Sequence, residues 1–193
     1  MKNLDKYFFH VKKDKQEWID AFKEIFPKYQ IDNDLRICHF LVQAFHETNY
    51  LSNLEENLNY SAETLFRLFK HKFKSIEDAK KIEYNKTLIA NTIYGNRLDL
   101  GNDETGDGYR YRGRGIFQIT GKANYQKYNI NNPDKLLIDK RFAIEIACKF
   151  WNNRGINNFA DKNDLISIRK KINGGTIGLD DCRKKFDEMI NLI

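Results

Sequence analysis

Apolar residues recur at three- and four-residue spacing along most of the chain. The series begins with Trp18, Ile19, Phe22, Ile25 and Phe26 and continues with Leu35, Cys38, Leu41, Val42 and Phe45. That period matches one face of a 3.6-residue helix, so both stretches are predicted to be amphipathic helices facing a core. Ser61 stands as an N-cap before Leu65, Phe66, Leu68 and Phe69, and Ser75 with Asp78 resembles a capping box for the helix that follows. Further helices are predicted over about 86–95, 140–152, 164–172 and 180–191. Period-two alternation is scarce. The best stretch, Tyr109 to Thr120, sets Arg and Gly among its aromatic and apolar residues and leaves room for at most one small β-hairpin. The pattern predicts a mainly α fold.

Length and composition narrow this picture. A chain of 193 residues suits a single domain, or a main lobe with a small appendage. Residues 1–30 carry no assignable motif and are read as a helical N-terminal cap. A hydrophobic share of 41%, with 14 Phe and 10 Tyr, excludes a disordered chain. Five of the 11 glycines fall between Gly101 and Gly115, which reads as a long structured loop of the kind that carries function. Cys38, Cys148 and Cys182 are odd in number, lack CxxC spacing and are expected as buried free thiols, a usage that fits folding in a reducing compartment. Neither an 18-residue apolar run nor an apolar segment near the N-terminus is present, so stable membrane insertion and signal-directed export are not expected. The net charge of +6 favours polyanionic surroundings, although the lysines are spread over almost every segment rather than gathered in blocks.

The first candidate for chemistry is Phe45-His46-Glu47-Thr48-Asn49, at the end of a strongly amphipathic helix. Apolar, aromatic surroundings desolvate a carboxyl group, and a Glu held protonated is what glycoside hydrolysis needs to protonate a leaving oxygen. The next acidic pair is Glu55-Glu56. In one continuous helix Glu47 and Glu56 would lie on opposite faces, about 13 Å apart along the axis, too far to act together. Asn49, Tyr50, Ser52 and Asn53 are poor helix formers, so a break is predicted there that lets the chain turn back. Carboxyl groups separated by about 6.5–9.5 Å would leave room for a water and imply an inverting reaction.

Three ordered segments and a fourth resemble glycoside hydrolase family 19, which contains chitinases and many phage endolysins. They are His46-Glu47-Thr48; Leu54 to Ser61; Tyr111 to Gly121 with Asn124-Tyr125; and Ile172-Asn173-Gly174-Gly175 followed by Gly178-Leu179-Asp180 and Arg183. The resemblance implies a lysozyme-like, two-lobed α fold with the cleft between lobes. It assigns Glu47 as general acid and Glu56 as general base, with Glu55 an open alternative. It gives Thr120 the place of a hydroxyl that holds the attacking water, and makes Gln118, Asn124, Tyr125 and Asn173 contacts to sugar hydroxyl and acetamido groups. His46 and Tyr60 join them as substrate-facing candidates, and Arg183 is implied as support for the acidic centre. The short chain and the wording of Asn57 to Glu63 and Gly106 to Tyr109 lean toward the endolysin branch.

The expected function is therefore an inverting hydrolase of β-1,4 amino-sugar polymers, with peptidoglycan strands as partner and chitin as the alternative. It would be a monomer, made in the cytoplasm and released to the wall by a holin or a secretion machine. A basic module from Gly108 to Gly115 that stacks and neutralises nucleic acid is a rival, but it leaves the Glu47 and Glu56 segments without a role, and no nucleic-acid partner is expected. A wall-binding module without catalysis is another rival. His10, His39, His46 and His71 lack ligand spacing, and Asp103, Asp107 and Gly108 would need a Glu where Arg114 stands to make a calcium loop. Neither metal nor cofactor is expected.

Overall fold

A computed structural model of the protein describes residues 4–192, so the first three residues of the segment read as a cap lie outside it. In chain order the helices are α1 Lys15–Ile25, α2 Asp34–Thr48, α3 Ala62–Leu68, α4 Ile76–Lys80, α5 Lys86–Tyr94 and α6 Asp107–Arg110. They continue with α7 Lys122–Lys127, α8 Lys135–Ile138, α9 Lys140–Asn153, α10 Asn157–Ala160, α11 Leu165–Asn173 and α12 Leu179–Ile190. The fold is mainly α, as the periodicity requires. The chain divides into two compact units. One takes the chain up to Leu54, Gly115–Phe117 and the chain from Lys135 onward; the other takes Glu55–Arg114 and Gln118–Asp134.

Aromatic packing organises the first unit. Phe40 on α2 meets Phe26 at 4.9 Å, Trp151 of α9 at 5.1 Å and Phe117 at 5.3 Å between ring centroids. Burying each such ring stabilises by about 1.5–3 kcal/mol, so α2 is held on several sides at once. The segment read as a cap brings Phe8, Trp18 and Phe22 into this core. The start of α2 is fixed by Asn33, whose side chain accepts from the Arg36 amide, and Arg36 in turn forks onto Asp161 at 2.7 and 2.6 Å.

The second unit packs Leu58, Ala62, Leu65, Ala79, Ile89, Ala90 and Ile93 into one buried cluster, with Tyr60, Phe66 and Phe69 against it. Ser61 and Ser75 cap α3 and α4 as the sequence predicts, accepting from the amides of Thr64 and Asp78. The stretch Tyr109 to Thr120 contains no hairpin. Its first residues belong to α6, and beyond them only isolated antiparallel bridges form, Glu55 with Arg114 and Arg114 with Ile119. Left-handed backbone at Gly115 (φ 80°) and Gln118 (φ 48°) bends the chain before a ladder can extend.

Cys38, Cys148 and Cys182 are all buried, matching their apolar settings. Among the described residues no helix is long and apolar enough to cross a membrane.

His39 lies fully buried on α2, its ring stacked on Phe186 at 4.4 Å and its Nε2 2.8 Å from Asn163 Oδ1. Burial pushes this imidazole down to about 4. A depressed histidine pKa means that protonation favours the unfolded chain. Its stabilising contribution is complete above about pH 6.5 and is lost as pH falls toward about 4, a span of about 3 kcal/mol. His39→Gln is expected to flatten urea-derived stability against pH across that window; equal slopes for both proteins would refute the assignment.

Candidate active site

His46 and Glu47 follow Gln43 on α2 by three and four residues, about one turn, so each neighbours Gln43 on the helix surface. Arg169 reaches that surface from α11, where it stands beside Ile168 on the apolar side of the helix and is only 2% exposed. Its Nη1 donates to Gln43 Oε1 at 3.0 Å and to Glu47 Oε1 at 2.5 Å, while its Nε donates to the Ile177 carbonyl at 2.7 Å. The Glu47 side chain is 21% exposed. Its immediate neighbour is thus a guanidinium, not the aromatic surface suggested by its sequence neighbours. Phe45 points into the core, where its ring meets Phe8 at 5.4 Å.

The helix ends at Thr48, and the break predicted over Asn49 to Asn53 is a run of three left-handed residues: Asn49 (φ 48°), Tyr50 (φ 57°) and Leu51 (φ 64°). Non-glycine residues pay about 1–2 kcal/mol each for that conformation, so it persists only where other contacts dictate it. Thr48 supplies most of them. Its hydroxyl donates to the Ala44 carbonyl at 2.5 Å and accepts from the Leu51 amide at 2.8 Å, and its carbonyl accepts from Ser52 and Asn53. The strain therefore begins two residues after Glu47.

His46 hydrogen-bonds Asp181 Oδ2 through Nδ1 at 2.6 Å. Burial works to raise the Asp181 carboxyl, but hydrogen bonds from Lys185 and His46 outweigh it and hold the group below the usual carboxylate range. The other edge of the ring rests on Gly178, where an added Cβ would lie 2.2 Å from Nε2 and where φ is 80°. Only glycine fits there. Asn173, expected as a sugar contact, spends its amide on its own loop, donating to the Ile177 carbonyl and accepting from the Gly175 amide. Arg183, expected as support for the acidic centre, is placed elsewhere. It is exposed and pairs with Asp180 at 3.2 Å, because its place on α12 turns it to solvent, and the guanidinium at Glu47 is that of Arg169.

In the second unit Glu55 and Glu56 engage different partners. Glu55 Oε1 accepts from Arg112 Nε at 2.5 Å and also pairs with Nη2. Glu56 Oε2 accepts from the Tyr94 hydroxyl at 2.7 Å and Oε1 from the Gly113 amide at 2.5 Å, while its own amide donates to the Gly113 carbonyl. A Cβ on Gly113 would stand 2.8 Å from Gln118 Oε1, 3.1 Å from Thr120 Oγ1 and 3.4 Å from Glu56 Cβ. The missing side chain is what lets these three residues converge. Burial first, and then the Glu56 charge, pushes the Tyr94 phenol far above its ordinary range, so it remains a donor. Tyr60, raised by the same two causes, lies half-buried nearby.

The sequence-predicted set is thus gathered in part: Glu56, Gln118 and Thr120 surround Gly113, and His46 and Glu47 each neighbour Gln43 on α2. Asn124 donates to the Thr120 carbonyl at 2.8 Å, which fixes the turn carrying Thr120. Tyr125 cannot touch a sugar. It is fully buried, its hydroxyl donating to the Arg112 carbonyl at 2.7 Å. Arg169, Asp181, Thr48 and Tyr94 are the residues that sequence reasoning missed. Of these only Arg169 leaves a signal, a charge on the apolar stripe formed by Leu165, Ile168 and Ile172. No group of three or more metal-capable side chains occurs among the described residues.

A Haemophilus influenzae protein named as a glycosyl hydrolase family 19 domain-containing protein is 35% identical to this chain over 159 residues, covering 80% of the chain and 78% of the relative. The chain matches no protein-family model.

Replacing Thr48 by Val keeps the shape and removes the hydroxyl that bridges α2 to the left-handed turn. The variant is expected to lose about 1–3 kcal/mol in urea unfolding, and an unchanged midpoint would show that the turn is held by other means.

Proposed function

Given that the chain belongs to glycosyl hydrolase family 19 and is therefore a glycosidase, we propose that it cleaves β-1,4 bonds of peptidoglycan strands with inversion. Glu47 gives its proton to the leaving glycosidic oxygen. Arg169, hydrogen-bonded to one oxygen of the same carboxyl group, fixes its orientation. Glu56 takes a proton from the water that attacks the anomeric carbon, and the bond to the leaving oxygen breaks on the opposite face. Thr120 and Gln118 hold that water.

The observation that carries the assignment is the setting of Glu56. Its carboxylate is oriented by Tyr94 and the Gly113 amide with Thr120 and Gln118 at the same glycine, whereas the Glu55 carboxylate is taken up by Arg112. This supports Glu56 as the base. The net charge of +6 supports a polyanionic wall polymer over neutral chitin.

The test is turbidity loss of purified peptidoglycan beside sugar release from chitin, with wild type, Glu47→Gln and Glu56→Gln. Each variant is expected to fold normally and to lose about 10²–10⁴-fold in turnover, and proton NMR of early product is expected to show the α-anomer. Chitin release alone would replace the substrate. Full activity in Glu47→Gln, or a β-anomer as first product, would overturn the mechanism.

A further inference from the structure

The segment Tyr109 to Arg114 brings three arginines together, and the hydrolytic reading uses none of them directly. In the second unit they line a cavity of about 490 Å³ together with Asn91, Tyr109 and Asp134. Three guanidinium groups face one carboxylate.

The charges are unevenly matched. Arg112 is neutralised by Glu55, which does not line the cavity, and its guanidinium carbon lies over the Tyr109 ring at 4.0 Å from the centroid, with Nη1 donating to the Tyr109 carbonyl. Arg114 donates to the Arg110 carbonyl at 2.8 Å and meets Asp134 at 3.2 Å, a partner that is 66% exposed and so screened. The Arg114 Nε is buried and has no hydrogen-bond partner among the described residues. Arg110 is exposed and its guanidinium forms no ion pair among the described residues; it lies only near the Tyr111 ring. The cavity wall thus keeps one unmatched cation and one unmatched buried donor.

Its place adds a reason. Asn91 and Tyr94 stand three residues apart on α5 and are surface neighbours. Asn91 accepts from the Tyr109 amide at the cavity, and Tyr94 holds Glu56. The cavity therefore flanks the base along one helix.

We propose that this pocket binds a carboxylate of the peptide that peptidoglycan strands carry, with Arg110 as its principal contact. The substrate in this proposal rests on the hydrolytic reading above; the anion does not. A planar carboxylate suits guanidinium forks, and the presence of Asp134 in the wall favours a monoanion over a doubly charged phosphate. The volume exceeds that of a lone anion and has room for the residues that carry it.

Arg110→Ala removes an exposed side chain and is expected to fold as wild type. Calorimetry would use a short acidic peptide, the same peptide with its carboxylates amidated, and inorganic phosphate. In parallel, KM would be measured on intact peptidoglycan and on strands stripped of peptide by an amidase. The acidic peptide is expected to bind wild type and to weaken at least about tenfold in Arg110→Ala, the scale of a charge-assisted hydrogen bond, while the amidated peptide does not bind. KM on peptide-bearing strands is expected to rise by a similar factor, with stripped strands unaffected. Equal binding by the variant, equal binding of the amidated peptide, or preference for phosphate would overturn the proposal. Acidic-peptide binding in a wild type that cleaves neither glycan would support the pocket and sink the hydrolytic reading instead.

Discussion

A guanidinium buried to 2% exposure must be matched by acceptors, because an unpaired ion in that setting costs several kcal/mol. Arg169 meets the requirement with Gln43, Glu47 and the Ile177 carbonyl, and each partner is thereby fixed. One constraint orients the candidate acid, joins α2 to α11 and ties down the loop between Asn173 and Gly178. His46 adds a second tie to the same region through Asp181 and Gly178. The α2 face is thus held from the protein side.

The second unit solves a similar problem with backbone. Gly113 donates to the Glu56 carboxylate and accepts from the Glu56 amide, and its lack of a side chain admits Gln118 and Thr120. Tyr125, buried beneath, carries the Arg112 carbonyl and helps hold this segment in place. Residues that look like ligand contacts in a motif thus divide into those that face outward and those that build the platform.

Strain is concentrated at the end of α2. Three left-handed residues follow Thr48, kept there by a hydroxyl that bonds both ways and by tight carbonyl contacts. Such a turn ends α2 abruptly, one residue after Glu47.

Much of the helical fold was legible in the sequence. The predicted 86–95 and 140–152 match Lys86–Tyr94 and Lys140–Asn153 closely, because apolar residues at helical spacing have one way to leave water. Ser61 and Ser75 were readable as caps since capping is a contact within four residues. The break after Thr48 was readable for the same local reason. What the sequence determined by itself is therefore the longer helices with their caps and the break that follows Glu47, whereas the short helices α6, α7, α8 and α10 carry no such pattern. Tertiary structure alone decided the rest. Arg169 lies 122 residues from the Glu47 it serves, and Tyr94 lies 38 residues from Glu56. Nothing local marks Tyr125 as buried or Arg183 as exposed, since an aromatic or an arginine on a helix fits either environment until its neighbours are known. The weak alternation of Tyr109 to Thr120 left room for at most one hairpin, and left-handed backbone at Gly115 and Gln118 accompanies isolated bridges there instead.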